Sequence, residues 1–328
     1  GWWRRPERAH ISGCGWRSDH SGMLAHMRAA AIGLLITSAV YAQGGAGVTA
    51  HPDLVYGRAG EKELMLDLYV PAGGKAPLVV WIHGGAWRQG SRRNPQAMYL
   101  TERGYAVASI GYRLSQEAIF PAQIHDCKAA IRWLRANAAR YGYDASRIGA
   151  WGPSAGGHLA ALLGTSGGVK ELEGDGGNAS QSSRVQAVVD FFGPTDLPAM
   201  ARFPSNLDHA AADSPESQLI GGKVGDSLEK AALANPIRYI TKDDPPFLIL
   251  HGDKDMTVPI NQSELLEKAL REAGVPVTYR VMQGAGHGGP AFTAPEVREQ
   301  VASFFDEHIR RGVGASLPGG GASEKRAR

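Results

Sequence analysis

Residues 147–164 read RIGAWGPSAGGHLAALLG. The first five, RIGAW, have the composition of a short buried strand. The last seven, HLAALLG, have the small apolar content of a buried helix. Between them lies Gly152-Pro153-Ser154-Ala155-Gly156, a serine set between glycines at a strand-to-helix junction. Glycines are needed there when strand, turn and helix pack too closely for a Cβ. Such a turn lifts the serine hydroxyl above the sheet and marks Ser154 as a candidate nucleophile. It also puts the Ala155 N–H at the start of a helix, where the helix dipole favours an anion. The competing reading makes Ser154 a helix N-cap.

The same alternation extends in both directions. ELMLDLYV (63–70) alternates apolar and polar residues, as a half-buried strand does. LVVWI (78–82), YAVASI (105–110), VQAVVDFF (185–192) and PFLILHG (246–252) are apolar runs suited to strands buried on both faces. VTYRVM (277–282) reads as a further strand. Helical spacing is expected over 122–141, 261–273 and 295–310. Strands separated by helices predict an α/β fold, with a mostly parallel sheet covered on both faces. Ligands then bind at the carboxyl ends of the strands. Two stretches break the rhythm: the Gly/Ser-rich segment 167–183, and about 194–245, which is expected to form a cap-like or substrate-facing insertion.

Three more motifs follow strand ends. His83-Gly84-Gly85-Ala86-Trp87 follows LVVWI directly. Small residues there let backbone N–H groups face one point, which makes Gly85 and Ala86, with Ala155, candidate oxyanion donors. Trp87 is a candidate aromatic wall for substrate, or else core packing. HGDKDMTVP (251–259) supplies two carboxylates, Asp253 and Asp255, just past a strand. Gly284-Ala285-Gly286-His287-Gly288-Gly289 carries an imidazole on a glycine-flanked loop after the last strand. In the chain order serine, acid, histidine, His287 is the base for Ser154 and the acid orients it. His83 is expected to brace its loop, His158 to pack or hydrogen-bond one helical turn past the serine, and His251 to be buried at a strand end. None lies at metal-ligand spacing from another His or Cys, so no metal site is expected.

Composition narrows the function classes. The chain has 328 residues, 43% hydrophobic and 20% charged, enough for one large core and too apolar for a disordered chain. Lys+Arg number 35 and Asp+Glu 32. Arg4, Arg5, Arg8, Arg17 and Arg28 against Glu7 and Asp19 account for the whole +3 excess within residues 1–28. The remainder is balanced and has no basic stripe, so nucleic acid is not an expected partner. Residues 23–42, MLAHMRAAAIGLLITSAVYA, follow the cation, apolar stretch and small-residue cleavage pattern of a signal peptide. The expected location is secreted or periplasmic, with no membrane span after cleavage. Residues 1–22 read as a non-native or unstructured leader, with translation starting at Met23 or Met27. Residues 43–311 are the expected catalytic domain and 312–328 a disordered tail. Cleavage would remove Cys14 and leave Cys127 alone, expected to be a buried, inert thiol.

Together these motifs resemble the α/β-hydrolase superfamily. They are most similar to the carboxylesterases grouped with bifunctional feruloyl and acetyl-xylan esterases, over about residues 52–310. The resemblance rests on His-Gly-Gly-Ala-Trp, Trp-Gly-Pro-Ser-Ala-Gly-Gly-His, Phe-Phe-Gly-Pro-Thr-Asp (191–196), His-Gly-Asp-Lys-Asp with Val-Pro, and Gly-Ala-Gly-His-Gly. It implies a Ser-His-Asp esterase without cofactor, acting on small-molecule or polysaccharide esters. Its pattern favours Asp255 over Asp253, through the following Val258-Pro259. Ala86 stands where some relatives carry a third glycine, but a backbone donor survives that change. Two other readings stay open: an aminopeptidase- or formamidase-like hydrolase with the same triad, and a non-catalytic binding module on this fold.

Overall fold

The computed structural model describes residues 47–310. The expected leader, signal peptide and tail lie outside the described residues. Eight strands form one sheet: β1 (Val48–Ala59), β2 (Lys62–Pro71), β3 (Ala76–Ile82), β4 (Ala106–Ile110), β5 (Tyr143–Pro153), β6 (Ala187–Phe191), β7 (Phe247–Gly252) and β8 (Val277–Met282). Their order is β1-β2-β4-β3-β5-β6-β7-β8. β2 runs antiparallel to β1 and β4, and every other pairing is parallel.

β3 shows why the apolar runs become central strands. All seven of its residues are buried. Leu78, Val80 and Ile82 enter the core on one face of the sheet, and Val79 and Trp81 enter the core on the other. A period of two with both faces covered needs apolar residues throughout. Each such side chain contributes about 1.5–3 kcal/mol when fully buried.

The helices are α1 (Ala122–Tyr141), α2 (Ala155–Thr165), the short α3 (Lys170–Glu173), α4 (Leu197–Met200), α5 (Pro215–Ile220) and α6 (Leu228–Leu233), then α7 (Asn261–Glu272) and α8 (Pro295–Phe305). The closing helix was expected to run to 310, but its last five residues, Asp306–Arg310, widen into a π turn. The polar stretch 167–183 is tied down by Glu173, which accepts from Lys128 (2.9 Å) and Arg132 (3.1 Å) of α1.

β1 has no counterpart in the sequence expectations. Its residues are mostly half-exposed or exposed, it contains Pro52, and its register with β2 breaks twice. Only an edge strand tolerates that composition, and it gives no clear alternation to read.

The insertion between β6 and β7 carries α4, α5 and α6. Leu197, Met200, Leu219, Ile220, Val224, Ala231 and Ala234 are buried in the same core as β3 and α2. Its two ends are joined by Asn235 Nδ2, which donates to Asp196 Oδ2 at 3.2 Å. Near its middle, Ser205 Oγ and the Asn206 N–H both donate to the carbonyl of Met256, the residue after Asp255.

Candidate active site

The carboxyl ends of β3, β5, β7 and β8 carry every residue expected to form the catalytic site. β5 ends at Pro153 and α2 begins at Ala155, so Ser154 alone makes the turn. Its backbone sits at φ 54°, ψ −125°. That conformation costs on the order of 1–3 kcal/mol and persists only where the surroundings over-determine it. Here the Ser154 N–H donates to Phe191 O (2.8 Å), and its carbonyl accepts from the His158 N–H (3.0 Å). The flanking glycines are obligatory: a Cβ on Gly152 would overlap the Gly156 carbonyl, and one on Gly156 would overlap Ile82 O.

The Ser154 side chain does not cap α2. Its Oγ instead lies 3.0 Å from His287 Nε2, and His287 Nδ1 lies 2.7 Å from Asp255 Oδ2. Asp255 Oδ1 accepts the N–H groups of Thr257 (2.8 Å) and Val258 (2.9 Å). Burial alone would raise the Asp255 carboxyl. Hydrogen bonds from His251 and His287 and from the Val258 N–H outweigh it and hold the group well below the usual carboxylate range. An ionised Asp255 requires a proton on His287 Nδ1, which leaves Nε2 as an acceptor for the serine hydroxyl. Asp253 has a different place: its Oδ1 accepts the Gly284 N–H at 2.6 Å and pins the turn that leads to His287.

The loop after β3 passes beside the serine. A Cβ on Gly84 would lie 3.5 Å from that of Ser154. Gly85, Ala86 and Trp87 follow with φ of 105°, 55° and 55°, three left-handed residues in a row. The N–H groups of Gly85, Ala86 and Ala155 donate to no acceptor among the described residues. His83 braces the loop as expected, with Nδ1 at 2.8 Å from Gly84 O and its ring stacked on Tyr112 at 4.3 Å. Burial lowers its pKa, against the hydrogen bond to Gly84.

Trp87 takes the second of its two expected places, core packing. Its side chain does not form an aromatic wall for substrate; the residue is 1% exposed and belongs to the core. The left-handed backbone turns the indole inward, and its N–H donates to His158 Nδ1 at 3.2 Å. His158 is fully buried, and burial lowers its pKa to about 4. Cys127 is buried, and burial raises its thiol pKa well above the usual value, as an inert thiol requires.

Two residues escaped the sequence reading. His251 was assigned only burial, yet its Nε2 lies 3.3 Å from Asp255 Oδ2 while its Nδ1 meets Ser263 Oγ at 2.7 Å. Its spacing of four residues from Asp255 was the available signal. Asp190 of β6 is completely buried under the elbow, where Oδ1 accepts the Gly193 N–H at 2.9 Å and Oδ2 has no partner among the described residues. Burial raises its pKa to about 7, against that hydrogen bond. An acidic residue inside an apolar strand was its only trace in the sequence.

A mostly parallel sheet with a strained serine elbow after β5 and a histidine after the last strand defines an α/β-hydrolase. The BD-FAE family matches residues 66–270, and the chain belongs to that family. It is similar to esterase LipQ of Mycobacterium tuberculosis, 34% identical over 275 residues, which cover 80% of this chain and 63% of the relative. The chain therefore spans less than two thirds of that relative's length. Among solved structures it is similar to a truncated carbohydrate esterase from gut microbiota, with 37% identity and a TM-score of 0.73, covering 79% of this chain and 95% of the other. A bifunctional GH43-CE protein of Bacteroides eggerthii has 40% identity and a TM-score of 0.73, covering 79% of this chain and 35% of that one.

Proposed function

We propose that the chain is a serine carboxylesterase that works through Ser154, His287 and Asp255. The observation that carries this reading is the position of His287, with one ring nitrogen 3.0 Å from Ser154 Oγ and the other 2.7 Å from a buried carboxylate oxygen. His287 Nε2 takes the hydroxyl proton as Ser154 Oγ attacks the ester carbonyl carbon. The oxyanion receives hydrogen bonds from the Gly85, Ala86 and Ala155 N–H groups. Collapse breaks the bond to the alcohol oxygen, which leaves with the proton from His287. Water then gives a proton to His287 and attacks the acyl-enzyme, and its collapse releases the acid and returns the proton to Ser154. Asp255 holds the tautomer and stabilises the imidazolium throughout. This cycle needs no cofactor.

The proposed substrates are acetyl or feruloyl esters of plant polysaccharide. This finer reading is supported by the BD-FAE family and by similarity to proteins described as carbohydrate esterases. An exported protein, as residues 23–42 suggest, would meet such polymers outside the cell. The test is turnover on p-nitrophenyl acetate, methyl ferulate, acetylated xylan and aminoacyl anilides. We expect ester hydrolysis that disappears in Ser154→Ala, with acid released from acetylated xylan or methyl ferulate. Preference for the anilides would overturn the esterase reading, and activity confined to p-nitrophenyl acetate would overturn the polysaccharide one.

A further inference from the structure

One buried imidazole, on the helix that follows Ser154, bonds two parts of the molecule that are far apart in sequence. His158 lies one turn into α2, and its backbone N–H donates to the carbonyl of Ser154 at 3.0 Å. Its Nδ1 accepts the indole N–H of Trp87, at 3.2 Å, from the turn that carries Gly85 and Ala86. Its Nε2 lies 2.6 Å from the carbonyl of Ala234, in the insertion just after α6. An indole only donates and a carbonyl only accepts. The pair of partners therefore fixes a neutral imidazole with its proton on Nε2.

We infer that His158 is a positioning residue: it holds the turn that carries the Gly85 and Ala86 N–H groups in place and sets the insertion in register with it. This rests on the esterase reading above. Trp87 is a large residue in the left-handed region, directly after Ala86 in the same region. Large side chains rarely adopt that conformation unless something outside the turn holds them. Two anchors hold Trp87. Its carbonyl accepts the N–H of Ser115 at 2.8 Å and the Ser115 hydroxyl at 3.2 Å. Its side chain is held by His158, with the rings edge-on at 5.2 Å and an angle of 86°. Without the second anchor the indole has a buried donor and no acceptor, a state that the turn relieves by rotating. Rotation at Trp87 redirects the peptide plane between Ala86 and Trp87 and shifts the donors before it. The far end of His158 adds the insertion: the Asn235 side chain, next to Ala234, bonds Asp196, so the segment between them closes beside the carbonyl that the imidazole holds.

Trp87→Phe keeps an aromatic side chain but removes the donor together with the five-membered ring that carries it. His158→Leu removes both bonds, and His158→Gln can restore an acceptor and a donor. On p-nitrophenyl acetate, Trp87→Phe and His158→Leu should lower kcat by roughly ten- to a hundredfold with KM within about twofold. Phenylboronic acid, whose serine adduct places an oxygen at the oxyanion position, should bind more weakly by the same factor, and His158→Gln should recover most of both. Wild-type kcat and boronate affinity in folded Trp87→Phe would overturn the inference. So would a loss in KM alone, or a loss that follows melting temperature without recovery in His158→Gln. Activity retained in Ser154→Ala would instead sink the esterase reading on which all this depends.

Discussion

His251 and His287 approach the same carboxylate oxygen. His287 Nδ1 lies 2.7 Å from Asp255 Oδ2, and His251 Nε2 lies 3.3 Å from it while bonding the carbonyl of Val258 at 2.8 Å. With two backbone N–H groups on Oδ1, the Asp255 carboxylate is surrounded by donors although it is buried. Its ionisation follows from that shell, and the orientation of His287 follows from its ionisation.

Neutralising the acid without changing its shape should therefore be costly. Asp255→Asn is expected to lower kcat by roughly three to four orders of magnitude while leaving the fold intact, because an amide stabilises the wrong tautomer of His287. Asp253→Asn removes the charge but keeps an amide oxygen that can accept the Gly284 N–H, and should cost less than about tenfold. Steady-state kinetics on the two variants, with circular dichroism to confirm folding, separates them. Equal losses would mean that the two carboxylates have been given the wrong roles.

Asp190 offers a test through pH. Its pKa is about 7 in the folded chain against 3.8 in the unfolded one, so the folded state binds the proton more tightly. The stability tied to the neutral carboxyl is fully present below pH 3.8 and is lost as pH rises through 7. A shift of this size corresponds to about 4 kcal/mol. Asp190→Asn keeps the shape and cannot ionise. Urea unfolding at pH 5 and pH 8 should show the variant gaining on the parent by a few kcal/mol at the higher pH. An unchanged difference between the two would mean that Asp190 stays ionised in the folded protein.

Gly90 tests how firmly the loop after β3 must be held. Its φ is 95°, and an added Cβ would lie 2.6 Å from His83 Nδ1 and 2.6 Å from Gly84 O. Gly90→Ala is strained in its backbone and pushes directly on the residues that brace Gly85. We expect a fall in kcat of roughly tenfold or more with a smaller change in KM, because the donors act on the transition state rather than on the bound ester. A melting curve checks that the fold survives. A variant with normal kcat would show that the loop tolerates the displacement.

Much of this was legible in the chain itself. The elbow was readable because Gly152 and Gly156 occupy positions where any side chain collides with backbone. The central strands were readable because burial on both faces demands unbroken apolar runs such as 78–82. Each is a local demand, recorded within a few residues. β1 was not legible, because an edge strand with one wet side and two register breaks leaves no regular pattern.

The sequence by itself determined the α/β alternation, the strained serine turn and the set of strand-end residues from which a site can be drawn. Those properties depend on short-range sterics and on the period of burial. Only the tertiary structure decided where Asp253 bonds once the resemblance had pointed to Asp255, that Trp87 turns inward, and that His158 joins the turn after β3 to Ala234, 76 residues beyond the histidine. Those outcomes depend on how strand ends and loops are stacked beside one another, and side-chain direction across such distances is set by packing rather than by neighbours in the chain.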